Sequence, residues 1–333
     1  MGPPSQCECC SVSEGRARVP VSKNRRKDGT KAPKPAPRKR RKAETSPAPL
    51  PEDLPPRVAM EKMMANLQRS LLADDLLGEA EADPLHAAQD IMYDAWECGT
   101  KRERVALAKQ ALGISDLCAN AWLLLAEEEA KGVVERRAAL ERAVAAGEEA
   151  VRHVLGEEAF EEEEGHFWGI LETRPYMRAR AALAECLWEM GDRDEAVAHW
   201  RDMLRLCPND NMGLRHVLAP KLLHLNLFEA TRELLDEYEE PDFAEWGYTD
   251  ALLKYKQGGA TSVANKALVA AIKNNPHVPA YLLGEKHLPN QTPPHYALGS
   301  KDEAVLYVLS SGETWTSTKG ALTWLSETAK NTL

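Results

Sequence analysis

Residues 177–210 read MRARAALAECLWEMGDRDEAVAHWRDMLRLCPND. Leu183, Ala184 and Leu187 fall on one face of a first helical segment, and Ala196 and Trp200 on one face of a second. Gly191 offers a turn between them and Pro208 a stop. The stretch predicts two amphipathic helices folded back as a hairpin. A single hairpin cannot bury its apolar stripe alone, so the fold turns on whether this one recurs.

It recurs. Pro208, Asp242 and Pro276 stand 34 residues apart, as do Ala196, Ala230 and Ala264, and Trp200, Leu234 and Leu268. Small, bulky and terminal positions repeating at this interval are the tetratricopeptide pattern of stacked helix–turn–helix units. Upstream, AWLLLAEEEAKGVVERRAALERAV supplies another copy, with Trp122, Leu125 and Ala126 on its first helix and Ala138 at the crossing. It is out of phase because a segment at 153–176 intervenes. RERVALAKQALGISD resembles the second helix of a further, degenerate unit.

Composition divides the chain. Residues 1–57 hold 14 Lys and Arg against 6 Asp and Glu, whereas the whole protein carries a formal charge of −10. A basic tail on an acidic folded body follows. Pro-, Ser- and Lys/Arg-rich residues 1–56 lack periodic apolar positions, so they are expected to be disordered. The expected organisation is all-α. A repeat domain covers 57–278, with units near 119–152, 177–210, 211–244 and 245–278 and an insertion at 153–176. A capping segment covers 279–333.

The sequence has neither a hydrophobic leader nor a run of the roughly 20 apolar residues that spans a bilayer, which predicts a cytoplasmic protein, or a nuclear one in a eukaryotic host. Seven cysteines, an odd number, argue against a disulfide framework. Cys7, Cys9 and Cys10 could bind a soft metal or be acylated, but no fourth ligand follows at usual spacing. The chain contains no GxxxxGK[ST], HExxH, GxSxG or paired CxxC, so no enzyme and no cofactor are expected. His153, Glu157, His166 and Glu161–Glu164 could form a metal site, although a solvated acidic face is the stronger reading.

In ETRPYMRAR, Arg174, Arg178 and Arg180 surround a Pro–Tyr helix start. They either pair with nearby carboxylates or grip the carboxylate of a ligand. The first helix of each unit lines the inner groove of such an array. The expected partner-binding set is therefore Arg174, Arg178, Glu185, Trp188, Asn211, Arg215, Trp246 and Lys256, with Trp188 and Trp246 equally readable as core. This mixture suits an extended protein or peptide segment. The tail residues Arg25, Arg26, Lys27, Arg38, Lys39, Arg40, Arg41 and Lys42 suit a nucleic-acid backbone or a nuclear address, without aromatics for base stacking.

The strings GHFWGILETRPYMRARAALAECLWEMGDRDEAVAHW, LRLCPNDNMGLRHVLAPKLL, DIMYDAWECGTKRERVALAKQALGISDLCANAWLLLAEE and GSKDEAVLYVLSSGETW resemble the suppressor-of-tumorigenicity-seven family of tetratricopeptide proteins. The resemblance covers roughly residues 84–328. It implies a helical repeat fold with no assigned enzymatic activity and no catalytic residues to carry over. The namesake proteins are membrane-associated, and the basic tail lies outside the resemblance. The function expected is a protein–protein interaction scaffold. The alternative is a nucleic-acid or ribonucleoprotein adaptor acting through the tail.

Overall fold

The computed structural model describes residues 57–75, 83–240, 242–293 and 295–333. The basic tail residues and the CECC cluster lie outside them. Among the described residues the regular structure is entirely helical. In chain order the helices are α1 (Arg57–Asp75), α2 (Pro84–Glu97), α3 (Lys101–Ile114), α4 (Ala119–Glu128) and α5 (Val133–Leu155). Next come α6 (Ala159–Glu162), α7 (Arg174–Met190), α8 (Arg193–Leu206), α9 (Leu214–His224) and α10 (Phe228–Glu237). The last are α11 (Ala244–Gly258), α12 (Ser262–Asn274), α13 (Val278–Leu282), α14 (Lys301–Ser317) and α15 (Ala321–Lys330).

Local chemistry sets these limits. Thr100 and Glu103 form a capping box at α3, the threonine hydroxyl accepting from the Glu103 N–H at 3.3 Å and donating to its carboxylate at 2.7 Å. The Thr261 and Ser300 hydroxyls cap α12 and α14 by accepting from the Ala264 and Glu303 N–H groups at 3.2 and 3.1 Å. At the end of α7 the chain reverses through Gly191 at φ 91°, where the Asp192 N–H reaches back to the Leu187 carbonyl at 2.9 Å. Asn226 repeats the device after α9 at φ 60°. A side chain at either position must tolerate the left-handed region, which Gly and Asn do.

Each helix from α2 to α5 packs on the next, α5 continues onto α7, and the chain of neighbours runs on to α12. Contacts also skip one element, α2 with α4, α4 with α7, and α9 with α11. Ala196 and Ala264 are buried and Ala230 packs against the core, while Trp200, Leu234 and Leu268 are all buried. Small residues at the crossings let the helices approach. A close approach occurs at Gly147 of α5, where an added Cβ would lie 2.9 Å from the Tyr176 Cα of α7.

The segment read as an insertion is used two ways. Its first residues extend α5 to Leu155, and the remainder folds under α7, with Phe167 buried against Phe160 and Tyr176. At the other end, α15 packs against α12 and α13, whereas α14 lies along α9 and α11. A run of rings joins them: Tyr248 to Trp315 at 6.4 Å, Trp315 to Trp324 at 6.1 Å and Trp324 to Tyr255 at 4.4 Å.

Candidate functional site

Arg174 and Arg178 lie one turn apart at the start of α7, hence on one face. Thr173 anchors that start, buried with its hydroxyl donating to the carbonyls of Phe167 and Ile170. Pro175 occupies the first turn, where its missing N–H costs nothing. The Arg174 Nε donates to the Trp168 carbonyl at 3.0 Å, and its guanidinium sits 5.4 Å from the Trp168 ring. Arg178 lies between two rings, 5.7 Å from Trp168 and 5.6 Å from Trp96. Two cations with aromatic walls therefore point the same way.

What they hold is the carboxylate of Glu61 on α1, itself only 5% exposed. Its Oε2 accepts from Arg174 Nη1 at 3.2 Å and from Arg178 Nη2, and its Oε1 accepts from the Tyr93 hydroxyl at 3.3 Å. Both guanidiniums thus converge on one oxygen instead of forming a two-pronged fork. Burial, and after it the Glu61 charge, pushes the Tyr93 phenol up, so it remains a donor. The Arg178 Nη1 is buried without a partner. Lys62 pairs with Asp94 at 2.5 Å and Gln68 with Glu172 at 2.9 Å along the same helix. The other face of α1 exposes Met60, Met63, Met64 and Leu67.

The remaining expected residues divide into two further places. Arg215 makes a bidentate fork to Glu240, at 3.1 and 2.8 Å, and a third bond to Asp210 at 2.9 Å, so its charge is used internally. Asp210 in turn caps α9, accepting from the Leu214 and Arg215 N–H groups at 2.7 and 2.9 Å. Trp246 is buried, donating to the Leu235 carbonyl at 3.3 Å, with its ring 5.1 Å from His216. Asn211 is exposed and accepts from the Cys207 thiol at 3.5 Å.

Trp188 packs on Trp200 and carries Lys221 at 4.4 Å and Arg193 at 5.1 Å over its ring, with Glu185 exposed on the same helix. Lys256 donates to the Leu223 carbonyl at 3.1 Å. No cluster of three or more His, Cys, Asp or Glu suited to a metal occurs among the described residues. His153 instead faces Asp83 at 3.3 Å, and Glu164 pairs with Arg205. Sequence reading grouped Arg174, Arg178 and Arg180, whereas Arg180 turns away to Asp202 and the Tyr176 hydroxyl; it missed Glu61, Tyr93, Trp96 and Trp168. The GHFWG string just ahead of α7 was the one local sign that an aromatic wall stood there.

The described residues thus form an all-helical protein in which no helix is long and apolar enough to cross a membrane. Residues 67–333 match the ST7 protein family, and the chain belongs to it. Similar relatives include the "Suppressor of tumorigenicity 7 protein-like" chains of Gallus gallus and Homo sapiens. They are 30% identical over 263 and 273 residues, covering 73% and 76% of this chain and 47% of each relative. The "Suppressor of tumorigenicity 7 protein" of Mus musculus is 29% identical over 296 residues, covering 76% of this chain and 50% of the relative. The chain therefore spans about half the length of these relatives.

Proposed function

We propose that this chain is a tetratricopeptide-type helical scaffold that binds an acidic segment of a protein partner along the inner helices of its repeats, without catalysis. The observation that carries this reading is the cradle itself. The repeat body already holds a helix-borne carboxylate between Arg174 and Arg178, so α1 is a ligand supplied by the same chain. The 34-residue interval supports the repeat assignment. Arginine under aromatic faces is also the side chain best suited to planar carboxylate recognition.

The test uses a fluorescent peptide of residues 57–75 added to the full chain carrying Glu61→Ala, which weakens the internal competitor. The peptide should bind, the same peptide with its own Glu61→Ala should not, and Arg178→Glu in the chain should abolish capture. Affinity purification with mass spectrometry, comparing wild type with Arg178→Glu, then identifies the cellular segment. Equal capture by both proteins at equal helical content would defeat the assignment.

The charge separation motivates a second reading, in which Arg25–Lys27 and Arg38–Lys42 attract nucleic acid. Deleting residues 1–56 should then remove salt-sensitive RNA or DNA binding. Unchanged affinity after the deletion would exclude it.

A further inference from the structure

A pocket of about 570 Å3 lies between the ends of α9, α11 and α14, lined by His224, Asn226, Phe228, Tyr255, Lys256 and Lys319 among others. No carboxylate lines it, although acidic residues outnumber basic ones in the chain by ten. Lys256 has no ion pair among the described residues. Its ammonium donates to the Leu223 carbonyl at 3.1 Å, and burial alone pulls its pKa down. That bond leaves two of its three protons uncommitted.

The neighbourhood is short of negative charge. The His224 Nε2 lies 2.9 Å from Arg193 Nη1, and its Nδ1 lies 3.3 Å from the Thr314 hydroxyl. Burial foremost holds this imidazole below its ordinary range. Glu313, 3.8 Å away and largely in solvent, opposes the shift, while Arg193, Lys256 and Lys221 add to it. The hydroxyls of the wall are already spent. Ser317 and Thr318 donate to the Thr314 carbonyl at 3.2 and 2.6 Å, and Tyr255 to that of Lys319 at 3.2 Å. Among the lining side chains, the donors left for a ligand are the two ammoniums and the Asn226 amide.

This donor set differs in kind from the arginine cradle. Guanidiniums present planar donors that serve carboxylates and phosphates alike, whereas ammoniums act as point charges with rotatable donors and accept a tetrahedral, multiply charged oxyanion. We propose that the pocket binds a phosphoryl group, with Lys256 and Lys319 as its charge partners. The group comes either from a phosphorylated side chain of the bound segment or from a free phosphate monoester. Only the first source rests on the scaffold reading above.

The full chain is titrated by calorimetry with inorganic phosphate, glycerol phosphate, acetate, and a phosphoserine peptide beside its unmodified serine counterpart. Saturable phosphate binding that exceeds acetate binding is expected, weakened at least tenfold by Lys256→Ala and by Lys319→Ala. Lys319 is exposed, so its variant tests the site even if Lys256→Ala disturbs the α9 terminus. A phosphopeptide binding at least tenfold tighter than glycerol phosphate identifies the bound segment as the source, and equal binding identifies the free monoester. Acetate binding as well as phosphate, no saturable binding, or binding within twofold of wild type in both variants overturns the proposal. Arg178→Glu should leave phosphate binding unchanged, which separates this site from the cradle.

Discussion

Substituting Glu61 by alanine tests the cradle where it is most exposed to refutation. The carboxylate is 5% exposed and receives two guanidiniums and a phenol. Removing one partner of a buried pair costs about 3–5 kcal/mol in general. Arg174 and Arg178 keep 16% and 23% side-chain exposure, so water recovers part of that loss. A net cost of about 2–4 kcal/mol at 1.4 kcal/mol per decade weakens α1 docking by roughly thirty- to seven-hundred-fold. The loss is local: among the described side chains, α1 places none in the buried apolar clusters. A released 19-residue helix is also marginal on its own in water. Hydrogen exchange is the direct assay. Amides of α1 should exchange faster by the same factor in Glu61→Ala, while those of α7 and α8 hold their wild-type rates. Glu61→Gln, which keeps an acceptor but not the charge, should fall between. Unaltered α1 protection in Glu61→Ala would show that the arginine pair does not hold the helix.

Gly147→Ala should lower the denaturant midpoint by about 1–3 kcal/mol in stability at an unchanged slope, because the new Cβ meets Tyr176 backbone at 2.9 Å. Full wild-type stability would contradict the close α5–α7 crossing. Glu303→Ala should cost about 2–4 kcal/mol, since the buried carboxylate accepts from the Ala244 N–H, the Asn275 amide and the Gly299 N–H at 2.9, 2.9 and 2.7 Å. Urea melts with no shift would rule that network out as a clamp between α11 and α14. His224 has a folded pKa below its ordinary value of 6.5, so the folded state binds fewer protons and stability is lost as pH falls from 6.5 through the folded pKa. Wild type should therefore lose more stability than His224→Asn between pH 7 and 5, and parallel melting curves would contradict the sign.

Legibility followed the range of the interaction. Gly191, the Ala196 and Ala264 crossings and the Trp200, Leu234 and Leu268 seam are repeated local features, and a fixed interval made them readable. The limits that escaped depend on neighbours. The helix α9 carries Pro220 in its interior and is capped by Asp210 at φ 44°. The helix α5 runs past the expected break to Leu155, and the residues after it pack Phe160 and Phe167 against Tyr176 of α7. Arg174 and Arg178 were recognisable as members of a trio with Arg180, but their partner lies 113 and 117 positions away. Nothing local marks Glu61 among the other carboxylates.

The rotation of α1 shows why. Its spacing sets Met60, Met63, Met64 and Leu67 on one stripe, and an apolar stripe is the ordinary candidate for burial. The helix is turned the other way. Glu61 and Ala65 face the body, Ala65 over a small crevice walled by Leu85, Tyr93 and Pro175, and the methionines face outward. A buried carboxylate fixed by two guanidiniums sets this orientation. The Lys62–Asp94 pair is largely solvated and worth under about 1 kcal/mol. Among the described side chains of α1, the Gln68–Glu172 bond is a further polar contact with the body. On the binding reading proposed above, a competing carboxylate on a better-packed segment displaces Glu61 from Arg174 and Arg178 and leaves the helices beneath undisturbed.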